Sequence, residues 1–184
     1  MKTELEYRYY IEHIQGKRSV LQKVLQKDEF SANHMVLLVG EIIKQSTHYQ
    51  VELTDGWYSV YFEVKLEPVL RPDKNLMTNN QLLYNLIRSN KLYSGLKIHL
   101  AGMRIIKKDA KADSEVQPDE KVFVEVSYNA ISRAKWDEKL GATKTKFFPK
   151  NLISLRNHGG FIPMIDVFIQ KKYKLLEKTN TGPK

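Results

Sequence analysis

The chain has 184 residues, 42% of them hydrophobic and 28% charged, with a net charge of +9. That is enough for one well-buried domain, or a domain with an appendage, and it excludes a disordered chain. No apolar run nears the roughly 20 residues of a bilayer span, the start MKTELEYRYY lacks the apolar stretch of a signal peptide, and zero cysteines exclude a disulfide framework and thiolate chemistry. The expectation is an intracellular protein with no membrane partner.

Residues 4–27 read as helical, with Leu5, Tyr9 and Glu12 on one spacing and Tyr7, Tyr10, Ile11 and Ile14 on another. Gly16 is expected to break the run. Ser19 then caps a second helix with Val20, Leu21, Val24 and Leu25 as its apolar face. Residues 30–34 form a polar loop. Met35 to Val39 is apolar without alternation, which predicts a strand buried on both faces, and Gly40 inside it predicts a bulge.

Val51 to Val64 reads as a β-hairpin, turned at Asp55-Gly56 because glycine takes positive φ without steric cost. On a second strand from Trp57 to Val64, Tyr58, Val60, Phe62 and Val64 share the core face. Trp57, Ser59, Tyr61 and Glu63 share the other. Pro68 and Pro72 bracket an irregular link. Thr78 and Gln81 form a capping box for a helix whose apolar side chains are Leu82, Leu83, Leu86 and Ile87, ended near Ser89-Asn90 and Gly95.

Leu96 to Ile106 and Val122 to Tyr128 are predicted strands joined by a long charged loop, 107–121. The Ile131–Gly141 run mixes basic residues with Trp136 and is expected to hold a short helical turn stopped by Gly141. Phe147-Phe148-Pro149 is an apolar anchor, Gly159-Gly160 a turn, and Met164 to Tyr173 a final strand, with a polar tail from Leu175. Three strands, a helix and two more strands is the order of an OB-fold, a five-stranded Greek-key barrel. The fold class is therefore mainly β, with a helical extension over 1–30, the OB-fold and a C-terminal extra strand over 31–175, and a tail over 176–184.

No catalytic or metal site is visible. The five histidines (His13, His34, His48, His99 and His158) are scattered, no phosphate loop occurs, and Ser132-Arg-Ala-Lys135 lacks the companion motifs of the acylating enzymes. No motif asks for a cofactor. What remains is binding. The charge is uneven: residues 133–150 carry six basic and two acidic side chains, and residues 171–184 five and one. Such clustering fits a polyanionic partner, nucleic acid or an acidic protein. An OB-fold binds single strands on its second and third strands, between the first and fourth connecting loops. Here that predicts Trp57, Tyr61, Lys65, Lys107, Lys108 and Lys111 as nucleic-acid contacts. Each tryptophan also has a structural role open to it, which is the expectation for both: Trp57 covered by a flanking segment, Trp136 pinning its basic segment to the barrel.

The stretches GKRSVLQKVLQKDE, MVLLVGEII, VELTDGWYSV, GLKIHLAGMRII and SRAKWDEKLG, in this order, resemble the breast cancer type 2 susceptibility protein family, mediators of homologous recombination. The Leu-Thr-Asp-Gly-Trp-Tyr element and the run Arg133, Trp136, Lys139, Leu140, Gly141 are its specific features. The resemblance covers roughly residues 5–175, as the end of a helical domain followed by a first OB-fold. It implies DNA repair in the nucleus, single-stranded DNA binding through an array of OB-folds, and loading of a RecA-like recombinase through other parts of a longer protein. It also implies a small, very acidic partner that is a proteasome-lid component, for which Arg8, Lys17, Arg18, Arg133, Lys135, Trp136 and Lys139 are the candidate contacts. The family's strongest DNA contacts belong to OB-folds absent here, so DNA binding by this chain alone is expected to be weak. Asp55 and Gly56 are assigned to the turn. The alternatives are a stand-alone OB-fold that binds single-stranded DNA or RNA directly and, less favoured, a translation-related RNA-binding OB-fold.

Overall fold

The computed structural model describes residues 6–7, 10–66, 77–106, 121–145 and 147–172, with the backbone alone for Glu12 and His13. The Pro68–Pro72 link, most of the 107–121 loop, the tail from Leu175 and the side chains of Arg8, Lys107, Lys108 and Lys111 lie outside the described residues.

The N-terminal run breaks where glycine predicts it. Tyr10–Ile14 is a π-helical turn, Gly16 takes φ +62°, and α1 spans Val20–Leu25. The Ser19 hydroxyl accepts from Gln22 N–H at 3.1 Å. Six residues are too few to be helical in isolation. Val20, Leu21 and Val24 are buried in the same core as the barrel, and that packing is what holds α1.

Five strands follow as read, in more pieces. β1 (Met35–Lys44) pairs antiparallel with β2 (His48–Thr54), with a register shift between Val39 and Ile42. Gly40 sits in that bulge, and a Cβ there would strike the Glu52 side chain. β2 pairs antiparallel with β3 (Ser59–Lys65). Leu53, Val60, Phe62 and Val64 face the core, fully buried, as alternation requires. The second strand starts at Ser59, not at Trp57. Asp55 to Tyr58 form a four-residue connection, because Asp55 uses its carboxylate to hold the N–H groups of Trp57 and Tyr58, both at 3.1 Å.

α2 (Asn79–Arg88) starts on the expected capping box, Gln81 N–H to Thr78 Oγ1 and Thr78 N–H to Gln81 Oε1, and buries Leu82 and Leu83. The fourth strand is broken at Ala101–Met103 into β4 (Lys97–Leu100) and β5 (Arg104–Ile106). The break centres on Gly102, at φ +68° with the Phe161 ring packed where a Cβ would stand. The fifth is broken into β6 (Phe123–Glu125) and β7 (Ile131–Arg133) by a 3-10 turn at Tyr128–Ala130.

The pairings close into a ring. β1 pairs with β2 and β4, β2 with β3, β3 in parallel with β6, and β5 and β4 antiparallel with β6 and β7. That is the OB-fold connectivity, with α2 between the third and fourth strands.

The chain after β7 departs from its reading. Lys135 to Glu138 is a tight turn rather than a helical one, and Gly141–Ala142 form β8, paired with β1. Among the described residues of the expected final strand, only Met164–Ile165 (β10) is paired, in parallel with Pro149–Lys150 (β9). Residues 166–172 carry no assigned strand and are exposed, Phe168 at 90%. Phe148 is buried as an anchor, whereas Phe147 is exposed. Asn129, 1% exposed, clamps this C-terminal segment. Its side chain donates to Arg156 C=O at 2.9 Å and accepts from Arg156 N–H at 3.0 Å.

Candidate docking and nucleic-acid surfaces

Two surfaces carry the candidate residues. The first is the outer face of β2–β3, where Tyr61 lies opposite Glu52. Lys121 Nζ stands 5.0 Å over the Tyr61 ring, and Phe123 flanks it at 6.1 Å between centroids. Glu52 accepts from the Ser59 hydroxyl at 2.6 Å and from Glu41 N–H at 3.2 Å. Burial, then Glu52 and Glu41, push the Tyr61 phenol above its ordinary pKa. Glu63 faces His48 at 3.7 Å. Lys65 is exposed at the end of β3, its backbone held by Asn80. Among the described residues, then, this face sets Glu41, Glu52 and Glu63 against Lys65 and Lys121. Its carboxylates oppose a phosphate backbone. Trp57 is half-buried beside the turn.

The second surface is built on the turn after β7. Lys97 on β4 donates from Nζ to the carbonyls of Trp136 and Glu138, each at 2.7 Å. Lys135 N–H donates to Glu138 Oε2 at 2.9 Å, and Glu138 N–H to Lys135 C=O at 3.2 Å. These four bonds fix a turn whose second residue, Trp136, is 87% exposed. The ring does not pin the segment to the barrel; the backbone ties do that and leave the indole bare. Arg133, Lys135 and Lys139 are exposed around it. An aromatic side chain on a rigid mount, rimmed by cations, is the make-up of an interface anchor.

α1 lies at this end of the molecule. It contacts β8, and Leu140 reaches within van der Waals distance of where a Gly56 Cβ would stand. Gly56 itself takes φ +93°. Asp55, 8% exposed, ties the two together: its Oδ2 accepts from Leu21 N–H, in the first turn of α1, at 2.9 Å. Lys17 is exposed just before α1, and Arg18 is already engaged by Asp28 at 2.6 Å and Gln26 at 2.8 Å.

Beneath the turn, the fold joins two histidines that the sequence scatters. His34 Nε2 lies 2.9 Å from His99 Nδ1, and His99 Nε2 lies 3.2 Å from Glu138 Oε2. Histidines 65 positions apart carry no spacing signal, so only the β1–β4 pairing reveals them. Their facing nitrogens point at one another rather than at a shared centre. Among the described residues no group of three or more His, Cys, Asp or Glu is arranged to hold a metal, and no helix is long and apolar enough to cross a membrane.

Residues 19–144, more than half of the chain, match the domain family described as BRCA2, oligonucleotide/oligosaccharide-binding, domain 1. The chain belongs to the BRCA2 family. Two Arabidopsis thaliana proteins, BREAST CANCER SUSCEPTIBILITY 2 homolog A and homolog B, are each 26% identical to it over 195 residues, covering 98% of the chain. The chain spans about 16% of the length of these curated relatives. The matched region is the family's first oligonucleotide/oligosaccharide-binding domain. It begins at the Ser19 cap of α1 and runs through the barrel, the Trp136 turn and β8. The C-terminal segment clamped by Asn129 lies beyond it.

Proposed function

We propose that this chain is the docking module of a BRCA2-family recombination mediator, taking a small acidic protein partner on the end of the barrel formed by the Trp136 turn and the start of α1. The observation that carries this reading is Trp136, bare on a backbone-tied turn and flanked by Arg133, Lys135 and Lys139. Lys17, exposed before α1, and Arg8, from the sequence alone, are further candidate contacts. The full partner set is the acidic proteasome-lid-associated protein, single-stranded DNA bound weakly by this chain alone, and a RecA-like recombinase engaged elsewhere in a longer, nuclear protein that serves double-strand break repair. In that protein residues 1–30 are the end of the helical domain, 31–175 the first OB-fold and 176–184 a polar tail.

DNA is secondary here because the β2–β3 face carries Glu41, Glu52 and Glu63 beside Tyr61. The cations left to that role are Lys65, Lys121 and those of the fourth loop, Lys107, Lys108 and Lys111. NMR mapping with an unlabelled acidic peptide tests the assignment. Shift changes are expected at Lys17, Arg133, Lys135, Trp136 and Lys139. Changes confined to Trp57, Tyr61 and Lys65 would move the docking site to the hairpin and overturn it.

A further inference from the structure

We propose that His34, His99 and Glu138 form a proton-counting latch that positions the Trp136 turn, holding it while the histidine pair carries at most one extra proton and releasing it at two. Its consequence for docking rests on the reading above; the latch itself does not.

Three contacts run in series. His34 Nδ1 lies 3.1 Å from Thr145 C=O and 3.2 Å from Thr145 Oγ1, His34 Nε2 lies 2.9 Å from His99 Nδ1, and His99 Nε2 lies 3.2 Å from Glu138 Oε2. With both rings neutral, the Thr145 hydroxyl donates to His34 Nδ1, His34 Nε2–H to His99 Nδ1, and His99 Nε2–H to Glu138. Each contact then has one proton. With one proton added, His34 Nδ1–H donates to the Thr145 carbonyl and His99 donates from both nitrogens, to His34 and to Glu138. Again each contact is satisfied. With two added, N–H meets N–H across the central contact, and two positive charges face each other. That arrangement has no hydrogen-bonded solution, so the contact opens.

Opening it must move the turn. His34 is buried, and the Phe148 ring packs on both histidines, with centroids at 4.9 and 5.5 Å. Neither ring swings out without displacing the Phe148 ring. Glu138 is the same carboxylate that accepts Lys135 N–H to close the turn. The charges around the pair oppose a second proton. Lys97, beside His99 on β4, sits on the Trp136 and Glu138 carbonyls. Arg133, Lys135, Lys139 and Lys144 stand exposed on the flanking elements, with Asp137 the only further carboxylate on the turn. Burial, then the neighbouring His99, hold His34 below the ordinary imidazole pKa, while the Thr145 carbonyl and Glu138 pull the other way. The unfolded chain thus binds this proton more readily than the native one. The stability His34 contributes is full above about pH 6.5 and is lost as pH falls through its lowered native value.

The test is steady-state fluorescence anisotropy of Trp136 from pH 8 to pH 5, in the full chain with Trp57→Phe so that Trp136 is the sole tryptophan, excited selectively over tyrosine, with circular dichroism alongside to follow the fold. The latch predicts anisotropy that holds at neutral pH and drops below about pH 6 while the barrel stays folded. His34→Asn removes the second charge and abolishes that drop. Glu138→Ala, at a half-exposed position, lowers anisotropy at every pH. A flat wild-type profile, an unchanged drop in His34→Asn, or wild-type anisotropy in Glu138→Ala each overturns the latch. No partner is needed, so failure to bind acidic peptide, with this profile intact, would sink the docking reading alone.

Discussion

Asp55→Ala is expected to cost about 3 kcal/mol of folding stability, a fall in melting temperature on the order of 10 °C, before any binding is measured. The carboxylate is buried and accepts three backbone N–H groups, those of Leu21, Trp57 and Tyr58. Alanine leaves all three without their partner. Two shape the connection between β2 and β3, and the third belongs to the first turn of α1, where a negative charge also meets the helix dipole. Asp55→Asn keeps one accepting oxygen and should lose about half as much. Thermal melts by circular dichroism give the size. Amide exchange gives the order of events: Leu21 and Gln22 should exchange early in Asp55→Ala while β1 and β4 remain protected. Protection at Leu21 equal to wild type would show that α1 does not depend on this tie.

Trp136→Ala is expected to do the reverse, leaving stability within about 0.5 kcal/mol of wild type and raising the Kd for an acidic peptide roughly 30-fold, about 2 kcal/mol. The indole is bare, so its removal opens no cavity. The turn is held by Lys97 and Glu138 through backbone atoms that the substitution leaves in place. Calorimetric titration of wild type and variant reads the affinity, and a melt reads the stability. A melting temperature lowered with affinity unchanged would make Trp136 an anchor after all.

Much of the barrel was legible because burial imposes a period. Val60, Phe62 and Val64 alternate with Tyr61 and Glu63, and the inner face follows directly. The Thr78–Gln81 box and Gly16 mark helix ends by local chemistry, which a sequence carries in full. The OB-fold order followed from where α2 falls among the strands. What stayed hidden was short or distant. β7 and β8 have three and two residues, too few for alternation to register, and the charges of SRAKWDEKLG resemble a helix surface. Asp55 was legible as a turn residue but not as a partner of Leu21, 34 positions away. The His34–His99 contact likewise exists only once β1 and β4 pair. Among the candidate residues, Trp136 reads as a pin for its segment and is instead 87% exposed. A turn tied by its backbone leaves no mark on side-chain pattern.

As proposed, this BRCA2-family module docks an acidic protein and holds single-stranded DNA only weakly. One fluorescence-anisotropy experiment tests it most directly: the chain titrated into a labelled acidic peptide and, in parallel, into a labelled thymidine oligomer, at low and at physiological salt. Tight peptide binding that persists in part as salt rises is expected, with weak oligomer binding that falls steeply. Submicromolar binding of the oligomer at physiological salt, lost on Tyr61→Ala with the fold intact, would contradict it and make the β2–β3 face a stacking platform despite Glu41, Glu52 and Glu63.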